Sequence, residues 1–303
     1  MTMPSVNISG TSHTYELTSP RNNDQLPVLV FIHGWLLSRH YWLPLVQLLQ
    51  SHYQCLLYDL KGFGDSAFNN TVNTTTSQDS TSLTNHHLTD KDYSLEAYAR
   101  DLDLLLQKLN IDQAWLIGHS LGGSIALWAA NLSPDRVKGV ICLNSGGGIY
   151  LKEEFERFRQ AGKQLVKFRP QWLRYVPLMD VMFSRMMVAR PLALQWGRQR
   201  IIDFLQATEE AALGALLEST TEAEVHFLPQ LVSRLKQPVY FIAGKKDKVM
   251  ELKYVNHLAS FHQLFHQSGS NVFELDNCGH LGMLEQPEKI AAIALEILSQ
   301  HQD

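Results

Sequence analysis

The residues with the clearest chemical potential lie between Gly118 and Gly123, where the sequence reads Gly-His-Ser-Leu-Gly-Gly. This segment fits the pattern G-x-S-x-G with Ser120 at its centre, and it joins a strand-like apolar run to a helical pattern. Such a turn tolerates only small residues two positions either side of the serine, so we expect Gly118 and Gly122 to support it. The helix N-terminus would then point its amide dipoles at the reacting centre. The same pattern also fits a glycine-rich turn with an N-capping serine and no chemistry.

With these residues the chain resembles the α/β-hydrolase family, and the similarity extends over nearly its whole length. The stretch 118–123 resembles the family's nucleophile elbow, and His33-Gly34-Trp35 resembles its oxyanion-hole loop. The stretch 59–66 resembles the D-x-x-G-x-G-x-S turn that follows the next strand. The resemblance implies a Ser-His-Asp triad in the chain order nucleophile, acid, histidine.

The resemblance assigns the triad acid to Asp247 and the base to His280. Asp247 follows an apolar run in a G-x-x-D segment, and its carboxylate would accept the histidine Nδ1–H and stabilise the imidazolium. His280 has glycines on both sides, in a loop similar to the family's histidine loop. Some family members carry the acid one strand earlier, where this chain has Asn144, so Asp247 is preferred. The alternative is an ordinary surface acid among lysines.

The resemblance also implies an oxyanion hole built from the backbone N–H groups of Trp35 and Leu121. Gly34 is expected to support this loop, and His33 to hold it by hydrogen bonds. Asp59 is expected to organise the turn that follows it.

An α/β architecture is needed to position these residues, and the sequence predicts one. Short apolar runs alternate with helical patterns, which is typical of a mostly parallel sheet covered by helices on both faces. The strongest predicted strands are 26–33, 54–59, 114–118, 137–143, 239–243 and 271–275, and the predicted helices include 42–51, 94–109, 120–132 and 287–300.

Two segments interrupt this alternation. Residues 67–92 are dominated by Asn, Thr, Ser and Asp and cannot bury enough apolar surface to fold, so we expect a polar surface loop. Residues 145–237 show helical periodicity without a convincing strand, which predicts an inserted helical cap. The core domain would then consist of residues 1–144 and 238–303.

The cap is expected to cover Ser120 and to select the substrate. Its bulky, adaptable side chains favour an apolar or long-chain group, although they would serve equally well as the cap's own core. Between Lys152 and Arg200 there are eleven Lys or Arg against four Asp or Glu, which indicates a solvated basic face or contact with anionic lipid or an acidic substrate group. The predicted pocket residues are Trp172, Tyr175, Met179, Met182 and Phe183.

Composition narrows the remaining possibilities. The 303 residues are 45% hydrophobic and 18% charged, with a net charge of −4 that gives no reason to expect a nucleic acid partner. Three cysteines, an odd number, argue against a disulfide framework. No signal peptide, membrane-spanning run or metal-binding pattern is found, so the expectation is a cytoplasmic protein without a cofactor or metal.

The sequence therefore predicts a serine hydrolase, most simply a carboxylic ester hydrolase that works through an acyl-enzyme. The same scaffold supports carbon–carbon bond hydrolysis, haloperoxidase chemistry and lyase reactions of the menaquinone pathway, and the fold does not choose among them. A ligand receptor or scaffold that keeps triad-like residues is a non-enzymatic alternative. A serine at position 120 separates the chain from epoxide hydrolases and haloalkane dehalogenases, which use an aspartate there.

Overall fold

The apolar runs become strands of one eight-stranded sheet in the computed structural model, which describes residues 3–20, 26–67, 92–146 and 152–301. In chain order the strands are β1 (Ser5–Ile8), β2 (Thr11–Leu17), β3 (Val28–Ile32), β4 (Cys55–Tyr58), β5 (Ala114–His119), β6 (Val137–Leu143), β7 (Val239–Gly244) and β8 (Val272–Leu275).

The sheet order is β1-β2-β4-β3-β5-β6-β7-β8. β1, β2 and β4 pair antiparallel, and every pairing from β4 to β8 is parallel. β3, β4, β5 and β7 are buried along their whole length, which explains why their sequences are continuous apolar runs. The predicted α/β fold is thus confirmed.

Helices pack on both faces of this sheet. In β3, Val30 and Ile32 join the apolar cluster on one face, whereas Leu29 and Phe31 join the cluster on the other. The helices are α1 (Leu43–Leu49), α2 (Leu95–Lys108), α3 (Leu121–Leu132), α4 (Lys152–Lys167), α5 (Met179–Arg185), α6 (Leu194–Gln206), α7 (Glu209–Ser219), α8 (Glu222–Arg234), α9 (Leu252–Ala259), α10 (Gln263–Ser268), α11 (Gly282–Glu285) and α12 (Pro287–Ser299), with short 3₁₀ turns at Arg39–Trp42, Gly64–Ala67 and Gln171–Tyr175.

The strand order reverses beside β3, which lies between β4 and β5. In open parallel sheets, ligands bind outside the carboxyl ends of the strands at such a switch point. The loop after β3 and the turn after β5 both leave the sheet at this edge, so the fold itself indicates where a site would form.

Between β6 and β7 the chain follows a different plan. The described residues from 152 to 234, called the helical segment below, form α4 to α8 and contain no strand. The polar loop predicted at 67–92 lies outside the described residues except for its two end positions. Within the described ranges, no helix combines the length and apolar character that a membrane crossing requires.

Candidate active site

Ser120 stands at a strained turn between β5 and α3. Its backbone has φ 52° and ψ −118°, a conformation that non-glycine residues rarely adopt. A Cβ on Gly118 would come within 2.2 Å of the Gly122 oxygen, and one on Gly122 within 2.2 Å of the Ile32 oxygen. The two glycines therefore allow the close backbone packing that holds the serine in this position.

Hydrogen bonds from the neighbouring strand fix the same turn. The Ser120 N–H donates to the Leu143 carbonyl at 3.1 Å, and the Ser145 hydroxyl donates to the Ser120 carbonyl at 2.8 Å. Gly123 N–H donates to that carbonyl at 3.0 Å. Because these contacts come from two elements, the position of Ser120 is set by the sheet as well as by the turn.

Asp247 and His280 meet beside this turn. The His280 Nδ1–H donates to Asp247 Oδ2 at 2.8 Å, and both residues are buried. Asp247 Oδ1 accepts hydrogen bonds from the backbone N–H groups of Val249 and Met250, at 2.8 and 3.0 Å. Burial alone would raise the pKa of Asp247, but the His280 ring and these hydrogen bonds outweigh burial and lower it. The carboxylate is therefore ionised and orients the imidazole with Nε2 as its free ring nitrogen.

Asn144 occupies the position where some relatives of this fold carry the acid. Its amide nitrogen donates to Asp247 Oδ2 and to the Gly279 carbonyl, each at 3.0 Å. The residue thus ties the aspartate to the loop that carries the histidine. Sequence reasoning used Asn144 only to exclude an alternative acid and missed this bridging contact.

His119 is a second residue that sequence reasoning missed, although it is the variable position of G-x-S-x-G. Its Nε2–H donates to the His280 carbonyl at 2.7 Å, and the two rings lie 4.8 Å apart. Burial, together with the neighbouring His280, lowers the pKa of His119 to about 3. The ring is therefore a neutral brace between Ser120 and the histidine loop.

The histidine loop is also tied to the helical segment. The His280 N–H donates to the Met187 carbonyl at 2.8 Å. Glu285 accepts from the backbone N–H groups of Gly279 and Ala189, at 2.9 and 2.7 Å. A movement of residues 187–189 would consequently change the position of His280.

The loop after β3 approaches Ser120 from the other side. A Cβ on Gly34 would lie 2.7 Å from His119 Nδ1 and 3.2 Å from the Ser120 Cβ, so this approach requires glycine. His33 is buried, which lowers its pKa, and its neutral ring donates from Nδ1 to the Gly34 carbonyl at 2.8 Å. Its Nε2 accepts from the Leu60 N–H at 3.0 Å. His33 therefore holds the loop by hydrogen bonds, as the sequence predicted.

The turn that follows β4 depends on Asp59, also as predicted. Its carboxylate accepts from the backbone N–H groups of Arg39 and Asp65, at 2.7 and 3.0 Å, and forms an ion pair with the Arg39 guanidinium at 2.5 Å. Asp59 thus stabilises the turn after β4 and does not contact Ser120, Asp247 or His280.

Leu121 and Trp35, the two residues predicted to form an oxyanion hole, both line the cavity described below. Leu121 is the first residue of α3, where backbone N–H groups have no partner inside the helix. Trp35 lines the cavity described below, and its indole N–H donates to the Ala212 carbonyl of α7 at 2.8 Å. Trp35 therefore joins the loop after β3 to the helical segment.

A cavity of about 470 Å³ lies over Ser120, within the size range of small-molecule sites. Its floor comes from the core and includes Ser120 and His280, together with Trp35 and Leu121. Its roof comes from the helical segment and is mostly apolar. The roof residues are Phe158, Ala161, Gly162, Leu165, Phe183, Met186, Met187, Arg200, Phe204, Leu216, Ser219 and Thr220.

Of the five residues predicted for the pocket, only Phe183 lines this cavity. Trp172, Tyr175 and Met182 are exposed to solvent by 60%, 77% and 51%, and Met179 packs against the apolar core. Residues 171–175 form a 3₁₀ turn on the outside of the helical segment, so their rings face away from Ser120. The expected placement of these four residues is thus corrected.

Two arginines of the helical segment contribute to its internal packing. Arg159 donates to the Leu217 carbonyl at 2.9 Å, and Arg169 donates to the Phe204 and Ala207 carbonyls at 2.7 and 2.9 Å. These guanidinium groups satisfy carbonyls at helix ends and hold the short helices together.

Arg200 is buried and belongs to the cavity wall. It donates to the Phe183 and Met186 carbonyls at 2.5 and 2.7 Å, and burial lowers its pKa. Among the described residues it forms no ion pair with a carboxylate. Among the described residues that line the roof, Arg200 is therefore a buried cation held by backbone carbonyls.

Asp203 links the same helix to the core. It is buried in α6, accepts from the Ser38 hydroxyl at 3.0 Å and accepts from the Gln199 amide at 3.0 Å. Burial raises the pKa of Asp203 to about 7, although both hydrogen bonds oppose that shift.

The three cysteines are buried and form no disulfide, and burial raises the pKa of Cys278 to about 12. This thiol beside His280 is therefore protonated and a poor nucleophile. In the part of the chain that the structure describes, no group of three or more His, Cys, Asp or Glu side chains is arranged to hold a metal ion.

Comparison with known proteins finds similarity to one fold family. A family model described as the alpha/beta hydrolase fold matches residues 27–287. The chain is 30% identical over 286 residues to the 2-succinyl-6-hydroxy-2,4-cyclohexadiene-1-carboxylate synthase of Yersinia pseudotuberculosis, a match that covers 93% of this chain and 91% of that protein.

Solved structures share the fold at lower identity. An enol-lactonase from Burkholderia xenovorans LB400 has a TM-score of 0.72 at 21% identity and covers 98% of this chain and 100% of its own. An esterase from Exiguobacterium antarcticum has a TM-score of 0.73 at 17% identity, with the same coverage. At these identities the likeness concerns the fold alone.

Proposed function

Since the chain belongs to the α/β-hydrolase family, we propose that it is a serine hydrolase with Ser120 as nucleophile, His280 as base and Asp247 as the supporting acid. The observation that carries this proposal is the 2.8 Å hydrogen bond from His280 Nδ1 to Asp247, in a cavity whose floor also contains the strained Ser120. A buried, ionised aspartate has the role of keeping the imidazole in the tautomer that can accept a proton at Nε2.

The proposed reaction is ester hydrolysis in two halves. His280 Nε2 takes the proton of the Ser120 hydroxyl while its oxygen attacks the acyl carbon, and the protonated ring then gives that proton to the departing alkoxide. Water attacks the acyl-enzyme by the same proton transfers and releases the acid and free serine. The N–H groups of Trp35 and Leu121 would stabilise the oxyanion of each tetrahedral intermediate. Hydrogen bonds between nucleophile and base often shorten only when substrate binds.

The lining of the cavity supports an ester with an apolar group. Leu165, Met187 and Phe204 are typical of its roof, and polar side chains are few. Flexible thioethers adapt to apolar groups of different shape, whereas a polar substrate group would lose hydrogen bonds to water without replacement.

Hydrolysis of p-nitrophenyl esters of increasing acyl length tests this proposal. We expect turnover by the wild type, and loss of it in Ser120→Ala by about 10⁴-fold or more. Ser51→Ala is the matched control, because Ser51 is exposed and far from the cavity in the fold. Equal turnover by Ser120→Ala and wild type would exclude the proposed nucleophile.

A second candidate is a synthase reaction like that named for the Yersinia relative, whose product carries a ring carboxylate and a succinyl group. Arg200 supports it, because a buried guanidinium in the cavity wall without a carboxylate partner suits an anionic substrate group. Calorimetric titration with that product separates the candidates. Binding that Arg200→Gln weakens about tenfold or more favours the synthase, and absence of binding together with turnover of apolar esters favours the hydrolase.

A further inference from the structure

One surface of the helical segment is unusually apolar. Phe168, Trp172, Tyr175 and Leu178 are exposed by 80%, 60%, 77% and 74%. Single exposed apolar residues are ordinary, but large ones concentrated in so short a stretch of chain indicate an interaction surface. We call these four residues the aromatic patch.

The backbone fixes the orientation of this patch. Trp172 and Tyr175 are three residues apart in a 3₁₀ turn, where such side chains lie on the same side. Leu173, between them, packs against the apolar core. The turn is therefore anchored on its inner side, and its two aromatic rings are presented outward.

Positive charge flanks the patch along the chain, and six of the cations between residues 163 and 198 are exposed. Residues 163–198 contain seven Lys or Arg and one acid, Asp180, which is already paired with Arg198 at 3.1 Å. The Arg174 guanidinium lies 5.7 Å from the centre of the Tyr175 ring. Because the whole chain carries a net charge of −4, this cationic surface is opposite in sign to the rest of the molecule.

The combination of exposed aromatic residues and positive charge indicates which kind of partner would bind this surface. A second copy docked through the same face would bring two cationic surfaces together, which is unfavourable. A bilayer of anionic lipid provides phosphates for the cations and an interfacial zone that Trp and Tyr favour. We propose that the aromatic patch and its surrounding cations dock the protein on anionic lipid bilayers.

The patch also adjoins the reactive cavity. Leu165, Met186 and Met187 line the cavity and are nevertheless exposed by 46%, 39% and 40%, so the roof is open to solvent there. Leu165 lies three residues before Phe168 of the patch. Docking would therefore bring the opening of the cavity to the lipid surface. The docking itself does not depend on the proposed reaction.

Co-sedimentation with vesicles tests the proposal on the full chain. We expect binding to equimolar phosphatidylcholine and phosphatidylglycerol, weaker binding to phosphatidylcholine alone, and a loss of binding as salt rises. Trp172→Ser/Tyr175→Ser should weaken binding to the mixed vesicles by about tenfold or more. Phe261→Ser, which alters an exposed aromatic residue outside the helical segment, should bind as the wild type does.

Circular dichroism spectra of all variants establish that each is folded. Equal binding to both kinds of vesicle, wild-type binding by the folded double variant, or no binding at low salt would overturn the proposal. The last result would favour an acidic protein as the occupant of this surface.

Discussion

The floor and the roof of the cavity are built by different means. On the floor, Ser120 and Asp247 are held mainly by backbone groups, through a strained turn and through N–H donors of the following residues. In the roof, short helices are joined by long side chains such as Arg159 and Arg169 that reach carbonyls. A backbone constraint of this kind requires particular residue types at a particular spacing. Packing between side chains can be achieved by many different sequences. From this difference we propose that the floor determines the chemistry and the roof determines the choice of substrate.

The largest effect is expected from removing the charge of the floor carboxylate. Asp247→Asn leaves the shape nearly unchanged but permits the wrong imidazole tautomer, so kcat for the preferred ester should fall by about 10⁴-fold. Steady-state kinetics measure this, with Asp65→Asn as the control, because Asp65 lies in the turn around Asp59. A loss of less than tenfold would show that the floor does not depend on this contact.

A backbone change on the floor should be the next most damaging. Gly122→Ala places a Cβ 2.2 Å from the Ile32 oxygen and should destabilise the fold by about 3 kcal/mol or more. Gly269→Ala is the control: Gly269 has φ +77° but nothing within 4 Å of the added Cβ, so the change should reduce stability by only ~1 kcal/mol. Urea unfolding measures both, and equal losses would contradict the importance of close packing at the turn.

A change in the roof should alter selectivity more than rate. Phe183 lines the cavity and is 7% exposed, so Phe183→Ala should shift kcat/KM toward bulkier acyl groups by about tenfold. Met182→Ala, on the same helix but outside the cavity, should leave the chain-length profile unchanged. If both variants gave the wild-type profile, the roof would not select the substrate.

The smallest effect is expected at the contact between roof and core. The pKa of Asp203 is raised to about 7 in the folded protein, so the folded state holds this proton more tightly than the unfolded state between about pH 4 and pH 7. The free energy of unfolding should therefore decline as pH rises through this range. Asp203→Asn should remove that part of the pH dependence, and denaturant unfolding at several pH values would detect it. Parallel pH profiles for the two proteins would contradict the assignment.

The difference between the floor and the roof also explains which features could be predicted from the sequence. The strands of the core and the turn at Ser120 were predictable, because continuous apolar runs and paired glycines admit few structures. The hairpin of β1 and β2 was missed, since β1 has only four residues and β2 is largely polar. His119 and Asn144 carried no signal of their own, because their roles depend on long-range contacts to the histidine loop.

In the roof, the type of a residue was a poor guide to whether its side chain faces the cavity or the solvent. Trp172 and Tyr175 have the bulk of pocket residues but face solvent, whereas Arg200 has the charge of a surface residue but is buried. Helical periodicity could not resolve this difference, because the short helices of the segment have several packing faces.

The central claim is that His280 activates Ser120 for nucleophilic attack, and covalent labelling by a fluorophosphonate probe tests it most directly. The account predicts that the wild type is labelled, that the modified peptide contains Ser120, and that Ser120→Ala is not labelled. Labelling should also fall sharply in His280→Ala, because the serine then has no base. Absence of labelling in the wild type, or equal labelling of Ser120→Ala, would contradict the account.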